Sequence, residues 1–188
     1  ASITGTSMAS PNVAGSLLLL QQHHNNLSGS FMRAATLKGL ALHTADDAGA
    51  TGPDAVYGWG LMNAKRAAEV LSANGGASNV DEIVLNSGQS YTLQVQSDGV
   101  NDLFASISWT DVAGTVNNGT NSGTAALVND LDLRVTKGGS SYSPWRLTGV
   151  TTNGKGDNTK DNYERVDVAN ASGTYTITVT HKGSLSSV

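Results

Sequence analysis

A serine near the start of the chain lies among residues that favour nucleophilic chemistry. Ser7 is part of the string Gly-Thr-Ser-Met-Ala-Ser-Pro at residues 5–11 and directly precedes an apolar segment. A serine hydroxyl attacks a carbonyl only when a base removes its proton and donors stabilise the resulting oxyanion. Free N–H groups and the positive end of the dipole supply that stabilisation at the start of a helix. Ser7 is therefore a candidate nucleophile, although a serine that merely caps a helix gives the same local pattern.

The histidines of the chain are the possible bases for Ser7, and none lies at a suitable distance in sequence. His23 and His24 follow Ser7 by about 16 residues, which on a helix places them more than roughly 20 Å away. His43 is expected at a helix end as a solvated cation that interacts with the dipole. His181 follows the last predicted strand. We therefore expect no base for Ser7 within this chain.

A second candidate site consists of carboxylates in the second half of the chain. Asp130 and Asp132 are two residues apart, so both project from the same face of a strand. Their mutual repulsion would be relieved by a hard cation with oxygen ligands, and Asn129 or a backbone carbonyl could complete the shell. Asp111 and Glu164 are the other candidate ligands, which gives a possible structural calcium site. The alternative is that these carboxylates are solvated or hydrogen-bonded to turn amides.

The elements that position Ser7 are predicted to be helical up to about residue 75. Apolar residues cover nearly every face of a helix from residue 7 to about residue 22, which is typical of a helix buried in a larger fold. Asn25 and Asn26 interrupt this pattern. Two shorter helices are expected, one from Ser30 to about His43 and one capped by Asn63 that runs through Leu71. The Asn-Gly-Gly string at residues 74–76 predicts a domain boundary.

The candidate calcium ligands lie in a half of the chain where the period of apolar residues is two. The alternating segments begin near Ile83, Tyr91, Ile107, Leu131 and Tyr175, with a long loop at residues 114–123. Such segments with turn residues between them indicate an antiparallel β-sandwich. The fold class is therefore α+β, with a helical part at residues 1–75 and a β-sandwich at residues 76–188.

Composition excludes several other classes of partner and chemistry. The formal net charge is −4, and the 11 Lys and Arg residues are scattered rather than clustered, so no nucleic-acid partner is expected. The longest apolar run, residues 17–20, is far shorter than the roughly 20 residues of a membrane span, and no membrane partner is expected. The chain has no cysteine, which excludes disulfides and thiolate chemistry.

The string around Ser7 closely resembles the nucleophile signature of the subtilase family of serine proteases. The resemblance covers residues 5–15, and residues 37–45 and 57–64 are similar to later parts of the same catalytic domain. It implies that Ser7 is the nucleophile of a serine endopeptidase acting on proteins or peptides and that its own N–H is one oxyanion donor. The family order Asp, His, Ser implies that the other triad members, and an oxyanion-hole Asn, precede Ala1 in a longer parent protein. The chain alone is then expected to be inactive.

The second half of the chain resembles the C-terminal jelly-roll domain of secreted, kexin-related alkaline subtilases. The similar strings lie at residues 108–111, 127–133 and 172–176. This resemblance implies a jelly roll, a structural calcium ion and an extracellular location.

Two other functions stay open. The β-sandwich could be a binding or structural module without catalysis of its own. A lipase-like or esterase function is disfavoured, because Ser7 lacks the Gly-x-Ser-x-Gly elbow. In each case the apolar first helix is expected to be covered by a second copy, by a companion N-terminal chain, or by packing on the sandwich.

Overall fold

The structure, a computed structural model, describes residues 4–186, and its helices all precede its strands. The helices are α1 (Thr6–Ser28), α2 (Ala34–His43) and α3 (Ala64–Ser72). The strands are β1 (Tyr91–Asp98), β2 (Leu103–Ser108), β3 (Leu131–Lys137), β4 (Ser140–Tyr142), β5 (Trp145–Leu147), β6 (Asn153–Lys155), β7 (Tyr163–Val168) and β8 (Ser172–His181). This confirms the predicted mixture of a helical first part and an antiparallel second part.

The first helix is longer than the sequence pattern predicted. Asn25 and Asn26 lie within α1, so the prediction that they end the helix is wrong. An asparagine costs a helix only a few tenths of a kcal/mol, which the rest of a long helix tolerates. The helix ends at Gly29, which takes the left-handed conformation (φ 75°) and donates its N–H to the Asn25 carbonyl at 2.8 Å. No helix in the described part of the chain is long and apolar enough to cross a membrane.

The predicted start is wrong for the second helix and confirmed for the third. The second was expected to begin at Ser30, but α2 begins at Ala34, preceded by Arg33 in an extended conformation. The Glu82 carboxylate accepts the Arg33 N–H at 2.7 Å, so the chain before α2 is held by a residue distant in sequence. Asn63 is confirmed as the cap of α3, since its side chain accepts the Arg66 N–H at 2.8 Å.

The three helices enclose a small apolar cluster. Its buried members are Leu20, Met32, Leu40, Ala67 and Leu71. The Gln21 amide stabilises the connection between α1 and α2, because it donates to the Met32 carbonyl at 3.0 Å and accepts the Met32 N–H at 2.8 Å. One face of α1 is therefore fixed against α2 and α3.

The strands form one larger sheet and two pairs. The larger sheet has the order β1-β8-β3-β4, and the pairs are β2-β7 and β5-β6, all antiparallel. The strand expected near Ile83 and Leu85 is not formed, which corrects that prediction. This segment pairs with neither edge of the larger sheet, although Leu85 packs against its core.

A second apolar cluster joins the larger sheet to the β2-β7 pair. Its buried members come from both: Ala105, Leu133, Val135, Val166, Val168, Ala171, Tyr175 and Val179. Trp109 is buried and donates its Nε1–H to the Asn129 carbonyl at 2.9 Å. The strands thus bury one shared core, while the jelly-roll assignment stays a prediction.

The helical part and the β part also contact each other. Lys38 of α2 donates to the carbonyl and side-chain oxygens of Asn162 at 2.9 and 2.8 Å. Asn153 of β6 donates to the Thr51 and Pro53 carbonyls at 2.9 and 2.8 Å. The loop that connects α2 and α3 is therefore attached to the β part, and the division at residues 74–76 stays a prediction.

Gly60 in that loop is expected to tolerate no side chain. Its φ is 106°, and a Cβ there would lie 2.0 Å from the Asp46 carbonyl oxygen. Gly60→Ala should lower the free energy of unfolding by roughly 3 kcal/mol, from backbone strain plus the clash. The matched control is Gly58→Ala, where φ is 61° but the space is open; it should cost about 1 kcal/mol. Equal losses for the two variants in urea unfolding would contradict this account.

Candidate functional site

Ser7 lies in the first turn of α1, as the sequence predicted. The helix begins at Thr6, and the Gly5 carbonyl accepts the N–H groups of Met8 and Ala9 at 3.1 and 3.2 Å. Ser7 is exposed, and no acidic residue lies in the first turn. The positive end of the dipole is therefore not offset by a carboxylate of the same turn, which suits a group that develops negative charge.

Each histidine has a hydrogen-bond partner other than Ser7. His23 Nε2 lies 2.9 Å from the Ser72 hydroxyl, and His24 Nδ1 lies 2.8 Å from the Ser30 carbonyl. His181 Nε2 accepts the Gly88 N–H at 2.7 Å. Within residues 4–186 no hydrogen bond joins a histidine to Ser7, so the described part of the chain presents a serine without a base.

The expectation that His43 is a solvated cation is wrong. Its Nδ1 lies 2.9 Å from the Ser106 hydroxyl of β2, and its ring meets Phe104 edge-on at 6.3 Å. Burial, together with the nearby Arg165 charge, lowers the pKa of His43 to about 4. The last turn of α2 packs on β2 rather than facing water, so His43 is neutral at pH 7 and belongs to the contact between the two parts.

Asp111 stabilises a loop. Its carboxylate accepts the Val128 N–H at 2.7 Å, the Asn129 N–H at 3.0 Å and the Asn129 side-chain amide at 2.8 Å. These bonds close the long loop between β2 and β3 at its base. They correspond to the alternative that the sequence left open, in which a carboxylate binds turn amides.

Asp130 and Asp132 lie at the start of β3 and face cations from elsewhere in the chain. The Lys182 ammonium lies 3.1 Å from Asp130 Oδ2 and 3.2 Å from Asp132 Oδ1. It also lies 2.7 Å from Asp157 Oδ2, and Arg134 pairs with both Asp132 and Asp157. Sequence reasoning missed Lys182 and Asp157. The β3-β8 register, which pairs Leu131 with His181, is what brings Lys182 beside Asp130.

Glu164 is a fully buried acid on β7, where the β2-β7 pair meets β3 of the larger sheet. Its Oε2 accepts the Leu133 N–H at 2.6 Å, while its Oε1 is buried without a partner. Burial raises the pKa of Glu164 to about 8, so the group is mostly protonated at pH 7.

Of the four carboxyls predicted to bind calcium, Asp111 and Glu164 accept backbone N–H groups, and Asp130 and Asp132 share Lys182. Among residues 4–186, no group of three or more His, Asp or Glu residues is arranged to hold a metal ion. Calcium at Asp111, Asp130, Asp132 and Glu164 stays a prediction.

A buried arginine links the helical part to β7, and no sequence pattern predicted it. Arg165 is 8% exposed and pairs with Asp167 through Nε at 2.8 Å and Nη2 at 2.9 Å. Its guanidinium lies 4.8 Å from the Trp59 ring centre and 5.5 Å from that of Phe104. Trp145 donates its Nε1–H to Asp167 at 2.8 Å. Trp59 belongs to the loop before α3, so this cluster joins the two parts.

The N-terminal third of the chain is similar to a known protein family and to known bacterial proteins. Residues 1–60 match the model of the subtilase family. Serotype-specific antigen 1 of Mannheimia haemolytica is 38% identical over 63 residues, which are 34% of this chain and 6% of that protein. The Neisserial autotransporter lipoprotein NalP of Neisseria meningitidis serogroup B is 40% identical over 65 residues, 35% of this chain and 6% of that protein. The similarity thus covers a small part of each relative and supports a relationship of this segment to the subtilases.

The buried Glu164 predicts a pH dependence of stability. Its folded-state pKa of about 8 lies above the unfolded value of 4.5. Between these values the native state keeps a proton that the unfolded state has lost, so the free energy of unfolding falls as pH rises. Glu164→Gln cannot ionise and keeps an acceptor for the Leu133 N–H. It should be more stable than wild type at pH 8, by on the order of 2 kcal/mol, and less different at pH 5.

Urea unfolding at a series of pH values checks this prediction. The control Glu164→Leu leaves the Leu133 N–H without an acceptor and should be less stable than Glu164→Gln at every pH. Parallel pH profiles for wild type and Glu164→Gln would show that Glu164 does not titrate in this range.

Proposed function

We propose that this chain is the C-terminal portion of a subtilisin-like serine endopeptidase, in which Ser7 forms the acyl-enzyme. The supporting observation is the position of Ser7 in the first turn of α1, within the segment that matches the subtilase family. Protein or peptide chains are the proposed substrates.

The proposed reaction needs groups from a longer parent protein. A histidine of the parent, oriented by an aspartate, takes the proton of the Ser7 hydroxyl while Oγ attacks the peptide carbonyl. The Ser7 N–H donates to the oxyanion, and the helix dipole lowers the energy of its charge. The imidazolium returns the proton to the leaving amine, and a water molecule then hydrolyses the ester between Ser7 and the acyl group.

The β part is proposed to support the loop that precedes α3. Trp59 in that loop lies against Arg165 and also meets Tyr163 edge-on at 5.0 Å. Asn153 holds the same loop by its bonds to Thr51 and Pro53. These contacts favour a supporting role over that of an independent binding module. The module function without catalysis remains the second candidate, because the described part of the chain has no base beside Ser7.

An extracellular or cell-surface location is proposed from the relatives. One relative is named an autotransporter lipoprotein and another a serotype-specific antigen. Both names indicate proteins that reach the cell surface.

The first helix has an apolar face that needs a partner. Leu20 is buried and Leu17 packs beside it against α2 and α3. Leu18 and Leu19 are 70% and 71% exposed, and Met8 is 44% exposed. The expected packing of this face on the sandwich is therefore not formed for Leu18 and Leu19. We propose that a second copy of the chain, or the preceding part of the catalytic domain, covers it.

The nucleophile is tested in a longer protein that contains this chain. Ser7→Ala should abolish fluorophosphonate labelling and lower casein hydrolysis by at least about 10³-fold. The matched control is Ser16→Ala on the same helix, which should keep both activities. The 188-residue chain alone should be neither labelled nor active. Labelling of this chain alone, or casein hydrolysis by the Ser7→Ala parent, would contradict the proposal.

Exposure of the α1 face predicts self-association of the isolated chain. Burying a leucine is worth about 2 kcal/mol, so two exposed leucines give a strong reason to pair. Sedimentation should show a concentration-dependent dimer for wild type and a monomer for the Leu18→Gln/Leu19→Gln variant. The control Val56→Gln changes a residue that is 81% exposed in a loop and should not alter the dimer. A wild-type monomer at all concentrations would rule out a second copy as the partner.

A further inference from the structure

Three carboxylates converge on one ammonium group at the end of the larger sheet. Lys182 Nζ lies 2.7 Å from Asp157 Oδ2, 3.1 Å from Asp130 Oδ2 and 3.2 Å from Asp132 Oδ1. The three acids come from the start of β3 and from the loop between β6 and β7. A single positive centre with oxygen neighbours from separate segments resembles the arrangement that proteins use for a bound cation.

The backbone places Lys182 next to Asp130. The Lys182 N–H donates to the Asp130 carbonyl at 2.9 Å, directly after the last pair of the β3-β8 register. Arg134 approaches the acids from another direction and pairs with Asp132 and Asp157. The hydrogen bonds from Lys182 keep the pKa of Asp157 below its usual range.

Two carboxylate oxygens, one in this group and one on β7, are buried without a partner. Asp130 Oδ1 and Glu164 Oε1 are both inaccessible to water and accept no hydrogen bond within the described residues. Glu164 is 0% exposed, and burial is the main cause of its raised pKa, to which the charges of Asp132 and Asp130 add. A buried oxygen without a donor is costly, and a cation is one means of satisfying it.

We propose that the Lys182 ammonium is the resident cation of an oxygen site formed by Asp130, Asp132 and Asp157, and that a divalent ion binds there only when this amine is removed. The amine lies among the oxygens that such an ion would need. Its charge offsets part of the negative charge of the three acids, and Arg134 offsets a further part. Asp111 binds loop amides instead, and Glu164 binds the Leu133 N–H. The β part of wild type is then stable without calcium.

The test compares the wild-type chain with Lys182→Met, which keeps the length of the side chain and removes its charge. Thermal unfolding is followed in 1 mM calcium chloride and in excess chelator, and calcium binding is measured by calorimetry. Wild type should melt at the same temperature in both buffers and bind no calcium. Lys182→Met should melt about 3–6 °C lower in chelator, recover at least half of that loss in calcium, and bind one ion per chain.

Two further variants separate this site from general charge effects. Lys160→Met removes an exposed lysine that forms no ion pair within the described residues and should change neither measurement. Asp157→Asn added to Lys182→Met should abolish the calcium response, because it removes one of the three acids. If Lys182→Met is unfolded in chelator, folding upon addition of calcium supports the proposal.

Three results would overturn the proposal. The first is calcium binding by wild type with a rise in melting temperature. The second is a Lys182→Met variant that folds but ignores calcium. The third is a Lys182→Met variant that stays unfolded in its presence.

Discussion

The contact between the helical and β parts depends on one buried charge. Arg165 lies on β7, between the rings of Trp59 and Phe104, and its charge is balanced by Asp167. Desolvating an arginine costs several kcal/mol unless a carboxylate and aromatic faces compensate, and here both are present. Breaking the pair would leave a buried charge at the point where the loop before α3 meets the β part. The position of that loop, and through it of α3, therefore depends on this group.

The helix that carries Ser7 is held on one side only. Leu20 and Gln21 fix it to α2 and α3, whereas Leu18 and Leu19 face solvent. In a catalytic site the nucleophile must be held within a fraction of an ångström of its productive geometry. A partner that covers the open face of α1 would complete the core around the helix and could also bring a base to Ser7.

The acidic residues of the β part show three ways of accommodating a carboxyl group. Asp130 and Asp132 pair with Lys182, whereas burial raises the pKa of Glu164 to about 8 and so favours its neutral form at pH 7. Asp111 follows a third route and accepts three hydrogen bonds from the base of a loop. Each of these solutions uses a partner from another segment of the chain, so the spacing of acids along the sequence does not by itself indicate a metal site.

The sequence alone determined the local features of this protein. The position of Ser7 in the first turn of α1, the Asn63 cap and the apolar alternation of β1, β3 and β8 follow from short-range rules, and the structure confirms them. The tertiary structure decided what depends on residues far apart in the chain. Strand β7 is buried on both faces and carries Glu164, Arg165 and Asp167. Because its apolar residues do not alternate with exposed polar ones, the period-two pattern did not predict this strand. The low pKa of His43 and the ion pair between Lys182 and Asp130 also depend on the tertiary structure. Burial and ion pairing of this kind arise only when distant segments of the chain pack together.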